Sequence, residues 1–292
     1  MHKIYIYEWG AWDHYLFPML FKSAFRIKAD IVQKNDAILD QISESNGYFL
    51  FHINLSETTQ FFEDKEMLCS DLKLRNIRYL NKGVSNISKS FVQDMCLHLK
   101  LNSTRALQNG DPNELLIIKS NNNFGGLNEN KLTEPQRIKL GIINTSLDRK
   151  FEYIITKRYE VEPSIWQDKS CVIEKYISNL DNLFYRVYKL NSRFVISEVI
   201  NLDQIKKMYS GIKRTNYYFD TSDKNLFGTI REEIKELSLI IDKFCTCFRL
   251  DFGALDIVKN DKNQFYIIDV NNTPYWGTEL QPDLFQFLID AL

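Results

Sequence analysis

Two apolar runs near the C-terminal end constrain the chain most. Residues 251–258 and 265–270 are separated only by the polar turn 259-KNDKNQ-264, so they form a pair of antiparallel strands. The second run, Phe265-Tyr266-Ile267-Ile268, leads directly into Asp269-Val270-Asn271-Asn272 and then Pro274. Residues two apart on a strand share a face, so Asp269 and Asn271 point the same way. Antiparallel pairing brings Asp256, on the first strand, within reach of Asp269. A carboxylate and amides at the end of a buried strand are costly unless something pairs with them. Two carboxylates and an amide oxygen form a hard-oxygen set suited to Mg²⁺, which takes few carboxylates and fills its shell with water and substrate phosphate. Without a cation, the two carboxylates would repel and one would tend to hold a proton. The same Asp-Val-Asn-Asn string also reads as turn residues after a strand.

The preceding chain has two textures. Its 292 residues suggest about two domains, and 44% hydrophobic residues are enough for real cores. Up to residue 86, strands at 3–7, 48–53 and 76–81 alternate with helices at 12–27 and 64–75, which predicts a mostly parallel α/β unit. The helix over 12–27 rests on Trp12, Tyr15, Leu16, Met19, Leu20 and Phe25. No Gly-x-Gly-x-x-Gly occurs there, which argues against a dinucleotide fold. Beyond 88 come a helix at 89–100, a strand at 115–119, helix and loop over 129–149, and a strand at 171–177. Adjacent strands follow at 184–190 and 193–200 around the turn Asn191-Ser192, then an amphipathic helix at 229–248. A last helix, 282–292, is opened by Pro282.

Three further polar groups stand out. Lys119 ends an apolar strand and runs into the loop 120-SNNNFGG-126, in which Ser120, Gly125 and Gly126 allow backbone amides to approach phosphate; the lysine precedes the glycines, so this is no Walker-type loop. The strand Cys171–Ile177 ends in Glu174-Lys175-Tyr176-Ile177, Asp181 lies four residues on, and Arg186 sits in the next strand. This end can pair its backbone with a base edge while Asp181 accepts from ribose hydroxyls, or it is a solvated strand edge. Lys213, Arg214 and Asn216 form a basic group that reads as a phosphate-binding or solvated loop.

Charge excludes other classes. With 37 Lys+Arg against 38 Asp+Glu the net charge is −1, which gives no reason to expect nucleic acid or an anionic membrane as partner. The start, MHKIYIYEWG, lacks a signal-peptide core, and no apolar run is long enough to span a bilayer, so a cytoplasmic protein is expected. Cys69, Cys96, Cys171, Cys245 and Cys247 are scattered without a second pair at zinc spacing, so reduced buried thiols are expected.

The order of these groups resembles the ATP-grasp superfamily, most of all the branch of D-alanine–D-alanine ligase, glutathione synthetase and ribosomal-protein glutamate ligase, over roughly residues 85–280. The resemblance implies an α/β grasp fold, with a pre-grasp domain at 1–86, a central lobe at 87–177 carrying the phosphate loop, and a C-terminal lobe of mixed or antiparallel sheet at 178–292. It implies ATP and one or two Mg²⁺ ions, with Mn²⁺ as an alternative. Lys89 and Lys119 would touch nucleotide phosphates, under a loop including Ser120, Gly125 and Gly126. Glu174, Lys175, Tyr176 and Ile177 would form the adenine hinge, and Asp181 would hold the ribose. Arg186 and Arg214 would steady the γ-phosphate or an acyl-phosphate. Asp256, Asp269 and Asn271 would ligate the metal.

The sequence departs from the pattern in its Asn-rich loop, in Asp269 where relatives carry Glu, and in Tyr275-Trp276 before Gly277. The implied reaction joins a small-molecule or peptide carboxylate to an amine through an acyl-phosphate, with release of ADP and phosphate. A kinase on the same scaffold and a non-catalytic nucleotide binder are the alternatives. The acceptor would be read by the pre-grasp domain and by 8-EWGAWDHY-15 and 275-YWGTE-279, with a homodimer as the default assembly. His2, His14, His52 and His98 fall outside the motifs and are expected at the surface or in the core.

Overall fold

A computed structural model describes residues 2–10, 13–142, 153–205, 211–222 and 230–292. The N-terminal unit contains β1 (Lys3–Trp9), α1 (Leu16–Leu20), β2 (Phe25–Lys28), α2 (Asn35–Leu39), β3 (Gly47–Ile53), α3 (Lys65–Leu74) and β4 (Ile77–Leu80). Its four strands are parallel in the order β2-β1-β3-β4. β3 is buried along its whole length, as expected of a central strand covered on both faces. α3 starts at Asp64, whose side chain accepts from the Met67 amide at 2.9 Å.

Next come α4 (Lys89–His98), β5 (Leu115–Ser120), α5 (Glu134–Lys139), β6 (Ile154–Lys157), α6 (Pro163–Gln167) and β7 (Cys171–Lys175), with an antiparallel sheet ordered β6-β5-β7. The largest sheet follows: β8 (Leu183–Leu190), β9 (Arg193–Ile200), β10 (Lys213–Asp220), α7 (Glu232–Phe248), β11 (Phe252–Lys259) and β12 (Phe265–Asn271), then α8 (Pro282–Ile289). Its order is β10-β9-β8-β11-β12, all antiparallel. The mixed α/β class with one parallel and two antiparallel sheets is the one expected.

Two expectations are corrected. The helix over 12–27 is only α1 among the described residues, and Phe25–Lys28 is an edge strand. There Ile27 buries fully and Arg26 reaches Glu8 across the β1–β2 pair, gains that outweigh the helical spacing of the apolar residues. Residues 213–216 are not a loop but the start of β10. Tyr217 and Phe219 pack into the core beneath the sheet, and alternation sends Arg214 and Asn216 to the opposite face from Lys213. The part of 129–149 beyond 142, and residue 229, lie outside the described residues.

One face of the large sheet is covered by α7 and α4. α7 presents Ile234, Leu237, Ile241, Phe244 and Phe248 at helical spacing to Tyr185, Val187, Ile196, Leu255 and Ile257. Part of the other face meets the N-terminal unit: Ile6, Leu50 and Phe17 pack with Tyr188, Val195, Phe252 and Ala254. Asn81 fastens this junction. Its amide nitrogen donates to the Phe252 carbonyl at 2.8 Å, and its side-chain oxygen accepts from the Asp251 and Phe252 amides at 3.0 and 2.9 Å.

His52 lies in the same junction, fully buried, 5.5 Å from the Tyr15 ring and in register with Glu8. Neither ring nitrogen has a partner among the described residues. Burial, then the Arg26 charge, lowers its pKa to about 3, against about 6.5 in an unfolded chain. The unfolded state therefore takes up the proton first. The contribution of neutral His52 is complete above about pH 6.5 and is lost progressively as pH falls toward 3. Urea midpoints from pH 7 to 4.5 should fall more steeply for the natural protein than for His52→Phe. Parallel pH profiles would refute this role.

Candidate functional site

The uncovered part of the large sheet forms a cleft facing the small sheet. Strand alternation sorts its side chains into bands. Phe184, Val199 and Val258 form an apolar patch, joined by Ile177, Tyr266 and Ile268. Next comes a polar row in continuous register across all five strands: Asn216, Ser197, Arg186, Asp256 and Asp269. Ser197 Oγ donates to Asn216 Oδ1 at 2.7 Å and accepts from Arg214 Nη2 at 3.1 Å. Arg186 Nη1 donates to Asp256 Oδ1 at 2.6 Å.

Asp269 reaches this row because β12 is irregular. Phe265 and Ile267 face the core beneath the sheet, so strict alternation would bury Asp269 there too. The register instead steps from Ile257↔Ile267 to Asp256↔Asp269, leaving Ile268 as an extra residue. This bulge returns Val270 to the core and sets Asp269 and Asn271 on the cleft face.

The small sheet and α4 supply the cations. Lys119 and Glu174 lie diagonally on one face of the β5–β7 pair, with Lys119 Nζ 2.9 Å from Glu174 Oε2 and both side chains almost wholly buried. Thr104 Oγ1 donates to the same Glu174 oxygen at 2.8 Å. Lys119 Nζ also donates to the Ile268 carbonyl at 3.1 Å, bridging the two sheets at the bulge. An ammonium has three donors, so one remains. Lys89, also buried, donates to the Asn122 carbonyl at 2.9 Å and lies 3.9 Å from Asp269. Burial lowers its pKa, with Asp269 opposing.

The charges are strained toward an added ligand. Burial raises the pKa of Asp256, Arg186 offsets this, and the neighbouring Asp269 adds to the rise. Burial also works against the Arg186 charge, but Asp256 outweighs it and the guanidinium holds its proton more tightly than usual. The Nε atoms of Arg186 and Arg214 are buried without a partner among the described residues. Arg214 is seated between the Tyr188 and Trp276 rings, 5.7 and 5.4 Å from their centroids.

The donor set fits one hard cation held sparingly. Asp256 and Asp269 are side by side and about one-fifth to one-quarter exposed, and Asn271 follows on the same face. Asn271 Oδ1 already accepts from the Thr273 amide at 2.8 Å. No group of three or more His, Cys, Asp or Glu suited to a metal occurs among the described residues. Mg²⁺ here would thus depend on two carboxylates, with water and phosphate oxygens filling its shell.

The other expected residues are spread around this centre. Ser120 ends β5, and Asn123–Gly126 form a 3-10 turn with positive φ at Phe124 (49°), Gly125 (68°) and Gly126 (76°). A side chain at Gly125 would meet nothing, so its requirement is conformational. The loop is tied down: the Asn123 amide donates to Ser56 Oγ at 2.7 Å and the Ser90 amide to Asn121 Oδ1 at 2.9 Å. In the hinge segment, the Lys175 and Tyr176 amides donate to the Thr104 and Leu115 carbonyls at 2.6 and 2.9 Å, the Lys175 side chain is exposed, and Ile177 joins the apolar patch. Asp181 lies 3.3 Å from Lys259 Nζ and is largely exposed.

Sequence reasoning missed Ser197 and Thr104. The regular alternation of 193–200 could have pointed to Ser197, a hydroxyl between Val195 and Val199 on one face. Nothing local marks Thr104.

The mixed α/β chain, with its small antiparallel sheet set against a larger one, shares its fold with a solved ATP-grasp ligase. Two solved structures align along the whole chain. One is the macrocyclase MdnC bound with precursor peptide MdnA from Microcystis aeruginosa MRC, with 11% identity, TM-score 0.51, and coverage of 100% of this chain and 99% of that one. The other is the ATP-grasp ligase PsnB with a phosphomimetic variant of its minimal precursor, Mg and ADP, with 10% identity, TM-score 0.50, and the same coverage. At this identity the likeness is one of fold. No family model and no curated protein matches the sequence. Among the described residues, no helix is long and apolar enough to cross a membrane.

Proposed function

We propose that the chain is an ATP-dependent ligase that joins a carboxylate to an amine or another nucleophile through an acyl-phosphate, releasing ADP and phosphate. The observation that carries this is the row of Arg186, Asp256 and Asp269 facing two buried lysines across a cleft between two sheets. Such an arrangement can neutralise and orient a polyphosphate, and most of the work in phosphoryl transfer is positioning and charge compensation.

Within this reading, Lys89 and Lys119 hold nucleotide phosphates, and the loop containing Ser120, Gly125 and Gly126 covers them. The backbone from Glu174 to Ile177 and the patch of Phe184, Val199 and Val258 receive the adenine, with Asp181 toward the ribose. Arg186 and Arg214 orient the transferred phosphoryl group with their remaining donors. Asp256, Asp269 and Asn271 would hold Mg²⁺, which when bound offsets phosphate charge. The division into 1–86, 87–177 and 178–292 belongs to the same proposal. One structural neighbour was solved with a precursor peptide and the other with a variant of its minimal precursor, which supports a peptide as the substrate to try first.

Calorimetric titration with a non-hydrolysable ATP analogue, with and without Mg²⁺, tests the proposal. Metal-enhanced binding of the analogue is expected and, with ATP in its place, ADP release when carboxylate and amine are supplied together. A folded protein that binds no nucleotide in either condition would overturn it, and a phosphorylated acceptor as product would replace ligase with kinase.

A further inference from the structure

The bulge in β12 is held from two sides. Its two successive carbonyls, Ile267 and Ile268, are each capped by a side chain from outside the strand. Lys119 takes the Ile268 carbonyl at 3.1 Å, and Gln93, on α4, donates through Nε2 to the Ile267 carbonyl at 2.8 Å. Gln93 is fully buried. Its side-chain oxygen accepts from the Thr104 amide at 2.8 Å and from Ser103 Oγ at 3.0 Å. Thr104 in turn donates to Glu174, and Glu174 holds Lys119. The hydrogen bonds close a ring: the Ile267 carbonyl, Gln93, Thr104, Glu174, Lys119 and the Ile268 carbonyl.

We propose that Gln93 is a positioning residue for the Asp256–Asp269 pair: by capping the Ile267 carbonyl it fixes the bulge that turns Asp269 out of the core, and through Thr104 and Glu174 it keeps Lys119 in step with that bulge. The proposal rests on the ligase reading for the use made of the pair, but not for the geometry. A regular β12 would carry Asp269 to the face packed against α7 and α4. The bulge prevents this only while the peptide on either side of Ile268 keeps its orientation. Polar backbone turned out of a ladder and buried needs a partner, and Gln93 supplies one that no neighbouring strand can. Gln93 touches neither the carboxylates nor the cleft, so it acts through β12.

Two variants separate positioning from general stability. Gln93→Met fills the same space and removes every hydrogen bond of the side chain. Gln93→Glu keeps the acceptor toward Thr104 and Ser103 and loses the donor toward Ile267. Mg²⁺ dependence of ATP-analogue binding is read by calorimetry, beside analogue affinity without metal. In both variants the Mg²⁺ concentration for half-maximal enhancement should rise at least fivefold; metal-free affinity stays within twofold in Gln93→Glu, which keeps the links to Thr104 and Ser103, and falls as well in Gln93→Met, which cuts them. Crystal structures of the variants supply the second reading: the Asp256↔Asp269 register should be lost or mixed. A folded variant that keeps that register and the natural Mg²⁺ dependence overturns the proposal. If the natural protein binds no nucleotide, the ligase reading falls, and the register in Gln93→Glu alone decides: retained, it overturns the positioning role; lost, it supports it. If Gln93→Met does not fold, Gln93→Glu decides by the same two criteria.

Discussion

Asp269→Ala should leave a folded protein whose Mg²⁺-dependent ADP release falls about 100-fold or more, the scale of losing one preorganised electrostatic contact to a transferring group. Asp269 is one-quarter exposed and 3.9 Å from Lys89, so little of the core depends on it. It is also one of only two carboxylates in the row, so nothing nearby replaces it. Asp269→Asn keeps the shape and one oxygen and should retain more activity than alanine. Turnover with a thermal melt establishes both points together. Natural turnover in a folded Asp269→Ala protein would remove the carboxylate from the mechanism, and with it the metal role.

Lys119→Met should be the most damaging single change to stability. It strands Glu174, which is 1% exposed, as a buried charge with only Thr104 for support. Breaking a buried pair in this way costs about 3–5 kcal/mol. The double variant Lys119→Met/Glu174→Leu removes both charges and should recover most of that loss in urea denaturation. Nucleotide affinity should stay low in the double variant, because the donor left over on Lys119 is gone. Recovery of analogue binding along with stability would mean that Lys119 serves the fold alone.

The sequence made some of this site legible and hid the rest for definite reasons. Asp269 and Asn271 share a face as their spacing suggests, and Asp256 is the partner that the short turn at 259–264 implies. Yet the alternation that justified this would have buried Asp269 from Phe265 onward. Only the extra residue at Ile268 restores the expected result, and a bulge has no residue signature when its loops are closed by distant side chains. Lys119 and Glu174 were each noticed for a separate role, but their contact depends on the β5–β7 register. Gln93 was invisible because its partner is a backbone carbonyl 174 positions away. The helix expected over 12–27 failed for a related reason: the four-residue strand Phe25–Lys28 is too short to show alternation, and the edge of β1 decides its conformation.

The junction that Asn81 fastens has a mechanical consequence. The N-terminal sheet and the large sheet share an apolar core and are stitched again where the Leu16 amide meets the Pro274 carbonyl at 2.8 Å. These two sheets share one core, while the small sheet reaches the large one through Lys119 to the Ile268 carbonyl and through Ile177, just beyond β7, which joins the apolar patch. In the proposed reading a phosphate would take the third donor of Lys119 while its contacts to Ile268 and Glu174 stay, so one ammonium group would tie ligand, small sheet and large sheet together.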